Sequence, residues 1–494
     1  MAENQSSYRQ IMKATSIFGG VQVFNILISI IRSKFVAVWL GPAGMGIMGL
    51  LTSTLGIIGN LTNFGLGTSA VKDIAAAHGA VDQQRISIVI TVFRRLVWIT
   101  GLLGMLMAII LSPWLSHFTF GNHDYTWAFI WISVTLLFSQ LSSGQLVVLQ
   151  GIRQLKQLAQ ANLAGSALGL FVTLPLYYIY RANGIVPGLI GTGLITFIIS
   201  WYYSLKANIK STYVTKIQTL EEGKGMLRMG FLISLSSLLS VGASYLVRIY
   251  ISRTGGVEQV GLYTAGFAII NTYVGLIFNA MATDYYPRLS AVAADNNRCK
   301  QTINQQAEIA LLILAPILII FLVFIKWVVI LLYSKQFIGV NDMIYWAALG
   351  MFFKAASWSI AFIFLAKGTS KLFFWNELAA NIYVLIFNIL GYHFWGLTGL
   401  GISFSLAYIL YLAQIFIISR IKFQFSFDLE FVIVFCLQFT LSIIGFLSIK
   451  FLQIPYSYII GTLLVIISTW YSLNELDKRL NLMEILKKMR SLSS

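Results

Sequence analysis

The chain has 494 residues, of which 58% are hydrophobic and only 10% charged, and its mean hydropathy is +0.80. A soluble protein needs roughly a quarter of its residues charged, so these figures exclude a soluble globular fold. Apolar runs of about 20 residues recur along the chain and predict an all-α polytopic membrane protein. The net charge of +17 does not indicate a nucleic-acid partner, because basic residues crowd the cytoplasmic loops of membrane proteins.

The apolar runs predict about fourteen transmembrane helices. The N-terminus is polar and shows no small-residue cleavage site, so we expect the first span to be retained rather than removed as a signal peptide. The predicted spans are 14–40, 44–67, 87–112, 126–149, 161–180, 185–205, 229–252, 261–286, 303–332, 342–366, 372–392, 397–419, 430–450 and 455–473.

The distribution of basic residues predicts the orientation of the chain. With the N-terminus in the cytoplasm, 23 of the 34 Lys and Arg residues fall in cytoplasmic segments and only four in outer loops. Because Lys and Arg are retained on the cytoplasmic side, both termini are expected there.

Short sequence matches recur with a separation of six spans. Aligning Gly46 with Gly261 places span 1 on span 7 and span 2 on span 8. Six is an even number, so the two halves have the same orientation and form two pseudo-symmetric six-helix lobes. The predicted lobes are residues 1–210 and 229–422. The segment 211–228 is a cytoplasmic linker within the longest loop, Lys206 to Arg228, and 423–494 forms an extra helix pair and a basic tail.

Span 1 carries a polar stripe that ends at an arginine. Gln22, Asn25, Ser29 and Arg32 are spaced by three, four and three residues, which places them on one helix face. Arg32 lies about 13 Å from the span end, near the middle of the hydrocarbon. Lys34 lies off the stripe; it is a further candidate for binding an anion, or it snorkels to the outer surface.

Span 7 repeats this arrangement with Ser237, Ser240 or Ser244, and Arg248. A buried charge is costly unless it is paired or hydrated, so an arginine inside a span indicates a functional site. All Asp and Glu residues are expected in loops or near span ends, which leaves no obvious carboxylate partner at mid-depth. The two arginines therefore predict an anion site in a water-filled cavity, against the simpler interpretations of snorkelling or a structural ion pair.

Further polar residues inside the spans are candidates for the same cavity. Lys354, in the middle of span 10, is a third anion-binding candidate. Side chains that could bind sugar hydroxyls, or simply join helices, are Asn60, Asn63, Asn279 and Thr283. Asp284 lies four residues before Arg288; it either carries a coupling proton or pairs with that arginine.

No catalytic or metal-binding pattern is evident in the sequence. The four histidines lack metal-ligand spacing, and no phosphate-binding loop is recognisable. We therefore expect no metal, no cofactor and no enzymatic activity.

Several motifs point to a known family. The stretch LGPAGMGIMGLLTSTLGIIGNLTNFGLG, Leu40 to Gly67, is similar to the family's first helical hairpin, and FGNHDY, LQGIRQ and the internal repeat support it. On these residues the chain resembles the polysaccharide-export branch of the multidrug/oligosaccharidyl-lipid/polysaccharide (MOP) exporter superfamily, the Wzx-type flippases, and looks most like O-antigen and enterobacterial common antigen translocases.

The resemblance implies two lobes around a cation-lined cavity that opens to each side in turn, as in MATE transporters. It implies translocation of an undecaprenyl-pyrophosphate-linked oligosaccharide to the outer leaflet of the bacterial inner membrane. Relatives that flip the peptidoglycan precursor carry arginines on spans 1, 2 and 8. Arg32 matches the first and Arg288 ends span 8, whereas span 2 offers only Lys72. The implied partners are the lipid-linked glycan, membrane lipids and glycan polymerase or chain-length machinery, and the implied state is a monomer.

Three other functions remain open from the residues. One is a scaffold without transport activity, which would leave the buried cations unexplained. A drug exporter of the same superfamily binds organic cations and would carry an acidic residue within span 1 or 7, where this chain has arginines. A membrane-embedded glycan polymerase or ligase would need a large outer loop, and the predicted outer loops are short.

Overall fold

The computed structural model describes residues 24–80, 82–207 and 212–480, which are almost entirely helical. Each of the fourteen predicted spans falls on helix in this part of the chain, so the all-α membrane fold is confirmed. The helices are α1 (described over 24–39), α2 (Gly41–Thr62), α3 (Leu66–Gly79), α4 (Gln83–Phe120), α5 (Thr126–Ile132), α6 (Val134–Gly151), α7 (Leu155–Tyr180), α8 (Ile185–Leu205), α9 (Lys216–Gly255), α10 (Val257–Phe267), α11 (Leu276–Ala291), α12 (Asn296–Leu332), α13 (Asn341–Ala366), α14 (Ser370–Phe423), α15 (Leu429–Phe451) and α16 (Tyr456–Leu480).

Nine helices among the described residues are long and apolar enough to cross a membrane. Two of them contain two predicted spans each. One is the α7–α8 hairpin, Leu155–Leu205, and the other is α14, whose two halves meet at Gly396. Gly396 has a φ of +56°, a conformation that glycine adopts without steric cost, and this allows the chain to turn there. The remaining predicted spans, 1, 7 and 8, lie on α1, α9 and α10–α11.

The chain divides into two compact units. The first comprises residues up to Gly261 together with Leu332–Ser334, and the second comprises Leu262–Leu331 together with the chain from Lys335 onward. Helix α9 belongs to the first unit because it packs against α2, α3 and α4. The pseudo-symmetric lobes 1–210 and 229–422 stay a prediction, since compactness alone does not test an internal repeat.

The repeat-equivalent glycines Gly46 and Gly261 face each other in a reciprocal contact. A Cβ atom on Gly46 would lie 1.9 Å from the carbonyl oxygen of Val257, and one on Gly261 would lie 1.8 Å from that of Pro42. Each carbonyl belongs to the residue four positions before the opposite glycine. This symmetric arrangement supports the alignment of the two hairpins that was made from the sequence.

The long loop predicted at Lys206 to Arg228 is wrong over most of its length, because α9 begins at Lys216. Thr215 and Gln218 form a reciprocal capping box that satisfies the first free backbone N–H groups of the helix. Arg95 of α4 then donates to the carbonyl of Val214 at 2.7 Å and to Thr219 Oγ1 at 2.9 Å. A polar, charged sequence therefore forms a helix here because its first turn is capped and anchored to α4.

The same end of α9 is fixed to α4 by an ion pair. Arg85 donates to Glu222 with both terminal guanidinium nitrogens, Nη1 and Nη2, at 2.5 and 2.8 Å, and these hydrogen bonds hold the pKa of the Glu222 carboxyl below its usual value. A carboxyl whose pKa is lowered in the folded protein stabilises it above the unfolded-state pKa of about 4.3, and this stability is lost as the pH falls through the lowered folded-state pKa.

We therefore expect Glu222→Gln to lower the thermal stability of the purified protein at pH 7, and the difference from wild type to vanish at acidic pH. The effect should be small because both side chains are partly exposed. Melting curves of the two proteins in detergent measure it, from pH 7 down to about pH 2, well below the unfolded-state pKa of about 4.3. A difference that stays constant across this range would contradict a contribution from the ion pair.

The C-terminal helix pair is held by polar contacts in the second unit. Gln438 of α15 donates to Ser472 Oγ of α16 at 2.9 Å and accepts from Ser468 Oγ at 2.6 Å. Arg479 of α16 pairs with Glu308 of α12 at 2.7 Å, and Glu308 is only 5% exposed. The pair α15–α16 is thus joined to α12 by a buried carboxylate that the sequence analysis had assigned to a span end.

Candidate functional site

The polar stripe of span 1 is helical where the structure describes it, so its spacing does place Asn25, Ser29 and Arg32 on one face of α1. Gln22 lies outside the described residues. Ser29 is exposed, whereas Arg32 is half-buried and its Nε has no hydrogen-bond partner among the described residues. The guanidinium lies against α7, where a Cβ on Gly169 would be 3.7 Å from Arg32 Nη2. Lys34 is half-buried and lies off this face.

Arg248 lies on α9 and reaches across to α2. Its Nη1 donates to Ser53 Oγ, and its Nε is buried without a partner in the described chain. Ser244, one turn before it, is exposed. Tyr245, three residues before Arg248 on α9, accepts a hydrogen bond from Thr54 Oγ1 at 3.1 Å. Arg248 is therefore held by a neutral hydroxyl, and no carboxylate pairs with it within the described residues.

An uncharged polar pocket of about 280 Å³ lies in the first unit, between α2, α3, α4, α6 and α9. It contains both predicted asparagines of span 2. Asn60 Oδ1 accepts from Ser237 at 3.4 Å, and Asn63 Oδ1 accepts from Ser234 at 3.2 Å. The lining residues are Asn60, Asn63, Gly65, Gly67, Thr68, Phe93, Val97, Gln140, Ser143, Gly144, Ser234 and Ser237.

The pocket and Arg248 belong to one face of the α2–α9 contact. On α9, Ser237 and Arg248 are eleven residues apart, which is about 16 Å along the helix and nearly the same angle around it. On α2, Ser53 and Asn60 are seven residues apart, or about two turns. We call this face, made of Ser53, Asn60 and Asn63 with Ser234, Ser237 and Arg248, the polar seam. It joins an arginine to a pocket lined by amides and hydroxyls.

Lys354 occupies a separate site in the second unit. Its ammonium donates to Asn271 Oδ1 at 2.9 Å and lies 5.3 Å from the ring centre of Tyr408 and 5.7 Å from that of Phe404. Asn271 is presented by a π-helical segment, Ala268–Val274, between α10 and α11. Single π-helical turns occur frequently at functional sites. An ammonium close to aromatic rings is stabilised by cation–π attraction.

The remaining candidates of span 8 lie on α11. Asp284 is exposed and pairs with Arg288 at 2.8 Å, so the predicted ion pair forms. The coupling role of Asp284 stays a prediction. Asn279 and Thr283 are on the same helix, and their side chains lie outside the part of the chain that is described.

Several residues of these sites were missed by the sequence analysis. They are the Tyr245 hydroxyl with its partners Thr54 and Thr119, the pocket residue Gln140, and the Lys354 neighbours Asn271, Phe404 and Tyr408. Tyr245 lies three residues before Arg248, so its helical spacing was an available signal. The others come from distant helices, and no local pattern connects them.

Comparison with protein families gives one match, over residues 35–342, to a family described as "Polysaccharide biosynthesis protein". The match covers more than half of the chain. The chain belongs to this family.

Individual proteins and solved structures are also similar to the chain. The lipid III flippase of Escherichia coli (strain K12) is 21% identical over 360 residues, which are 72% of this chain and 85% of that protein. The structure of the lipid II flippase MurJ in an inward closed conformation matches with a TM-score of 0.71 at 12% identity, covering 95% of this chain and 99% of MurJ. An inward-facing MATE family multidrug resistance transporter of the MOP superfamily matches with a TM-score of 0.69 at 18% identity, covering 82% and 94%.

These similarities show that the chain has the fold of the MATE and MurJ structures, as the sequence motifs indicated. Nine helices among the described residues can cross a membrane, and the similar proteins are two flippases and a multidrug transporter.

Proposed function

We propose that the protein translocates a lipid-linked glycan across the membrane, with the polar seam as part of the site for the glycan head group. The observation that carries this proposal is the position of Arg248. Arg248 is a half-buried cation whose hydrogen-bond partner is the Ser53 hydroxyl, and no carboxylate pairs with it among the described residues. It lies on the same face as an uncharged pocket of amides and hydroxyls. An anionic phosphate joined to a neutral sugar has the matching chemistry.

Different residues bind the charged and the uncharged parts of the head group. Arg248 and Arg32 bind the pyrophosphate through charge-assisted hydrogen bonds, which a guanidinium makes in pairs to phosphate oxygens. Asn60, Asn63, Ser234 and Ser237 bind sugar hydroxyls. Lys354 provides a separate contact for an acidic group in the second unit, and the lipid stays in the bilayer.

Two close backbone contacts lie along the helices of the seam and support alternating access. Gly46 and Gly261 meet near one end of α2. At its other end, a Cβ on Gly65 would lie 2.2 Å from the carbonyl oxygen of Gly230. Neither contact has side chains between the two backbones. In the proposed cycle the contacts separate in turn and open the seam to each side of the membrane.

The finer details follow the family resemblance. The lipid is undecaprenyl pyrophosphate, the glycan is an O-antigen or similar surface unit, and the protein works as a monomer beside the polymerase that uses its product. It resides in the bacterial inner membrane with both termini in the cytoplasm, in agreement with the excess of Lys and Arg in those segments. A drug exporter that binds cations is less well supported, since no acidic residue lines the pocket or the rest of the seam among the described residues.

Asn60→Ala tests the pocket. We expect translocation to fall about five- to tenfold, because one lost hydrogen bond to substrate is worth about 1 to 1.5 kcal/mol. Thr52→Ala is the matched control, since Thr52 is on the same helix, is exposed, and bonds only its own helix backbone in the described structure. Equal rates for the two variants, at equal membrane levels, would contradict a glycan-binding role of the pocket.

Deletion of the gene in its host tests the function itself. We expect surface glycan to be lost and the lipid-linked oligosaccharide to accumulate in the cytoplasmic leaflet, where it is protected from a glycan-binding probe added outside. A plasmid copy should reverse both effects. Normal surface glycan together with export of an organic cation that depends on the gene would overturn the proposal in favour of the drug exporter.

A further inference from the structure

A carboxylate lies inside α14 without a cationic partner. Glu377 is half-buried, about two turns from the start of the helix, and accepts a hydrogen bond from the hydroxyl of Tyr411 in the second half of α14. No Lys or Arg of the described chain forms an ion pair with it. Glu377 lies near the start of the predicted span 372–392, where the sequence alone leaves open whether a carboxylate has a partner.

Two other carboxylates within the helices each form an ion pair with an arginine. Asp284 pairs with Arg288 and Glu308 with Arg479. An ionised carboxylate within hydrocarbon is expensive unless it is paired, and a buried group without a counter-ion takes up a proton instead. Unlike Asp284 and Glu308, Glu377 therefore has an environment that suits reversible protonation.

The two halves of α14 surround Glu377 with polar groups that are not fully satisfied. Asn376 is 4% exposed, and its Nδ2 has no hydrogen-bond partner among the described residues, although Gln414 Nε2 donates to its backbone carbonyl at 3.3 Å. The hydroxyl of Tyr383 is likewise buried without a partner in the described structure. Buried polar atoms of this kind are normally satisfied, commonly by water. These atoms offer binding positions for water beside Glu377.

The cluster also reaches Lys354, the cation of the second unit. The rings of Tyr411 and Tyr408 have their centres 6.2 Å apart, and Lys354 Nζ lies 5.3 Å from the centre of Tyr408. The titratable groups around Glu377 in the described chain are thus Tyr383, Tyr408 and Tyr411 on α14 and, beyond Tyr408, Lys354 on α13. A continuous set of contacts joins the carboxyl to the ammonium.

We propose that Glu377 is a proton-binding site and that its protonation state is transmitted through Tyr411 and Tyr408 to Lys354. Protonation removes the negative charge of the carboxylate and weakens the hydrogen bond that it accepts from Tyr411. The tyrosine pair and Lys354 can then rearrange. The proton is exchanged with water, and the phenols stay protonated throughout. That this proton movement drives glycan translocation rests on the proposed function.

Infrared difference spectra of the purified protein in lipid, recorded as a function of pH, test the proton site without any substrate. We expect a carboxylic C=O band that titrates in wild type, is lost in Glu377→Gln and remains in Glu258→Gln, an exposed acid of α10. Tyr411→Phe should shift its midpoint upward by about one pH unit, because it removes a hydrogen bond that favours the ionised form. Identical titrations of wild type and Glu377→Gln would overturn the proposal.

The coupling role has its own readout. In the gene-deletion host, Glu377→Gln should lower surface glycan at least tenfold at equal membrane levels, and Glu377→Asp should restore part of it. Loss of the titrating band with full surface glycan would overturn the coupling role. If the gene deletion itself leaves surface glycan unchanged, the proposed function fails, while the infrared titration still decides whether Glu377 binds a proton.

Discussion

Arg248→Ala is expected to lower the appearance of glycan at the cell surface by about 10- to 100-fold, because it removes charge-assisted hydrogen bonds worth about 1.5 to 3 kcal/mol to a phosphate. The side chain is half-buried on the polar seam, and its partner in the described structure is Ser53. Arg32→Ala should have a comparable effect, since Arg32 is half-buried and has a guanidinium nitrogen without a partner in the described residues. Surface glycan in the complemented deletion strain, at matched membrane levels, measures both.

Three further variants separate ligand binding from local structure. Ser53→Ala removes the observed hydrogen bond but keeps the charge, so its effect should be small. Arg248→Lys keeps the charge without the planar fork, and should retain intermediate activity. Arg228→Ala removes an exposed arginine from the same helix and should behave as wild type. If Ser53→Ala is as defective as Arg248→Ala, the arginine acts through its contact with α2, and the anion site is excluded there.

Gly46→Ala is expected to destabilise the protein by roughly 1 to 3 kcal/mol, the cost of forcing an extra carbon into a closely packed contact. The added Cβ would lie 1.9 Å from the carbonyl oxygen of Val257, and since that atom is backbone, α2 and α10 must move apart. Gly261→Ala should have the same effect through the reciprocal contact with Pro42. Thermal unfolding of the purified protein in detergent measures the loss.

Gly56→Ala is the matched control for this prediction. Gly56 lies on the same helix, and a Cβ there would have nothing within 4 Å. The substitution should be neutral or stabilise the protein by up to about 1 kcal/mol, because alanine favours helix over glycine. Equal melting temperatures for Gly46→Ala and Gly56→Ala would contradict the close approach of the two hairpins.

The sequence could predict the features that depend on local periodicity. Spans follow from apolar length, and the face shared by Asn25, Ser29 and Arg32 follows from helical geometry. The alignment of Gly46 with Gly261 was also accessible, because a repeated hairpin leaves similar residues at equivalent positions, whereas their contact was not predicted. These predictions need only the order of residues along one helix or the comparison of two segments.

Contacts between distant helices could not be predicted in the same way. The hydroxyl that binds Arg248 belongs to Ser53 of α2, which is 195 residues earlier in the chain. The groups around Lys354 of α13 come from other segments, Asn271 from the π-helical turn and Tyr408 from α14. Hydropathy also predicted the start of α9 too late in the chain, because a charged segment can be helical when its first turns are capped and ion-paired. Glu377 was missed for a related reason, since its lack of a cation is a property of the folded neighbourhood.

Translocation in liposomes tests the central claim most directly. The purified protein is incorporated into vesicles with the lipid-linked oligosaccharide that accumulates in the deletion strain, and transfer between leaflets is followed with an external glycan-binding probe. The account predicts transfer with wild type and Arg228→Ala, and at least tenfold slower transfer with Arg248→Ala. Equal transfer by wild type and Arg248→Ala, or none above protein-free vesicles, would contradict it.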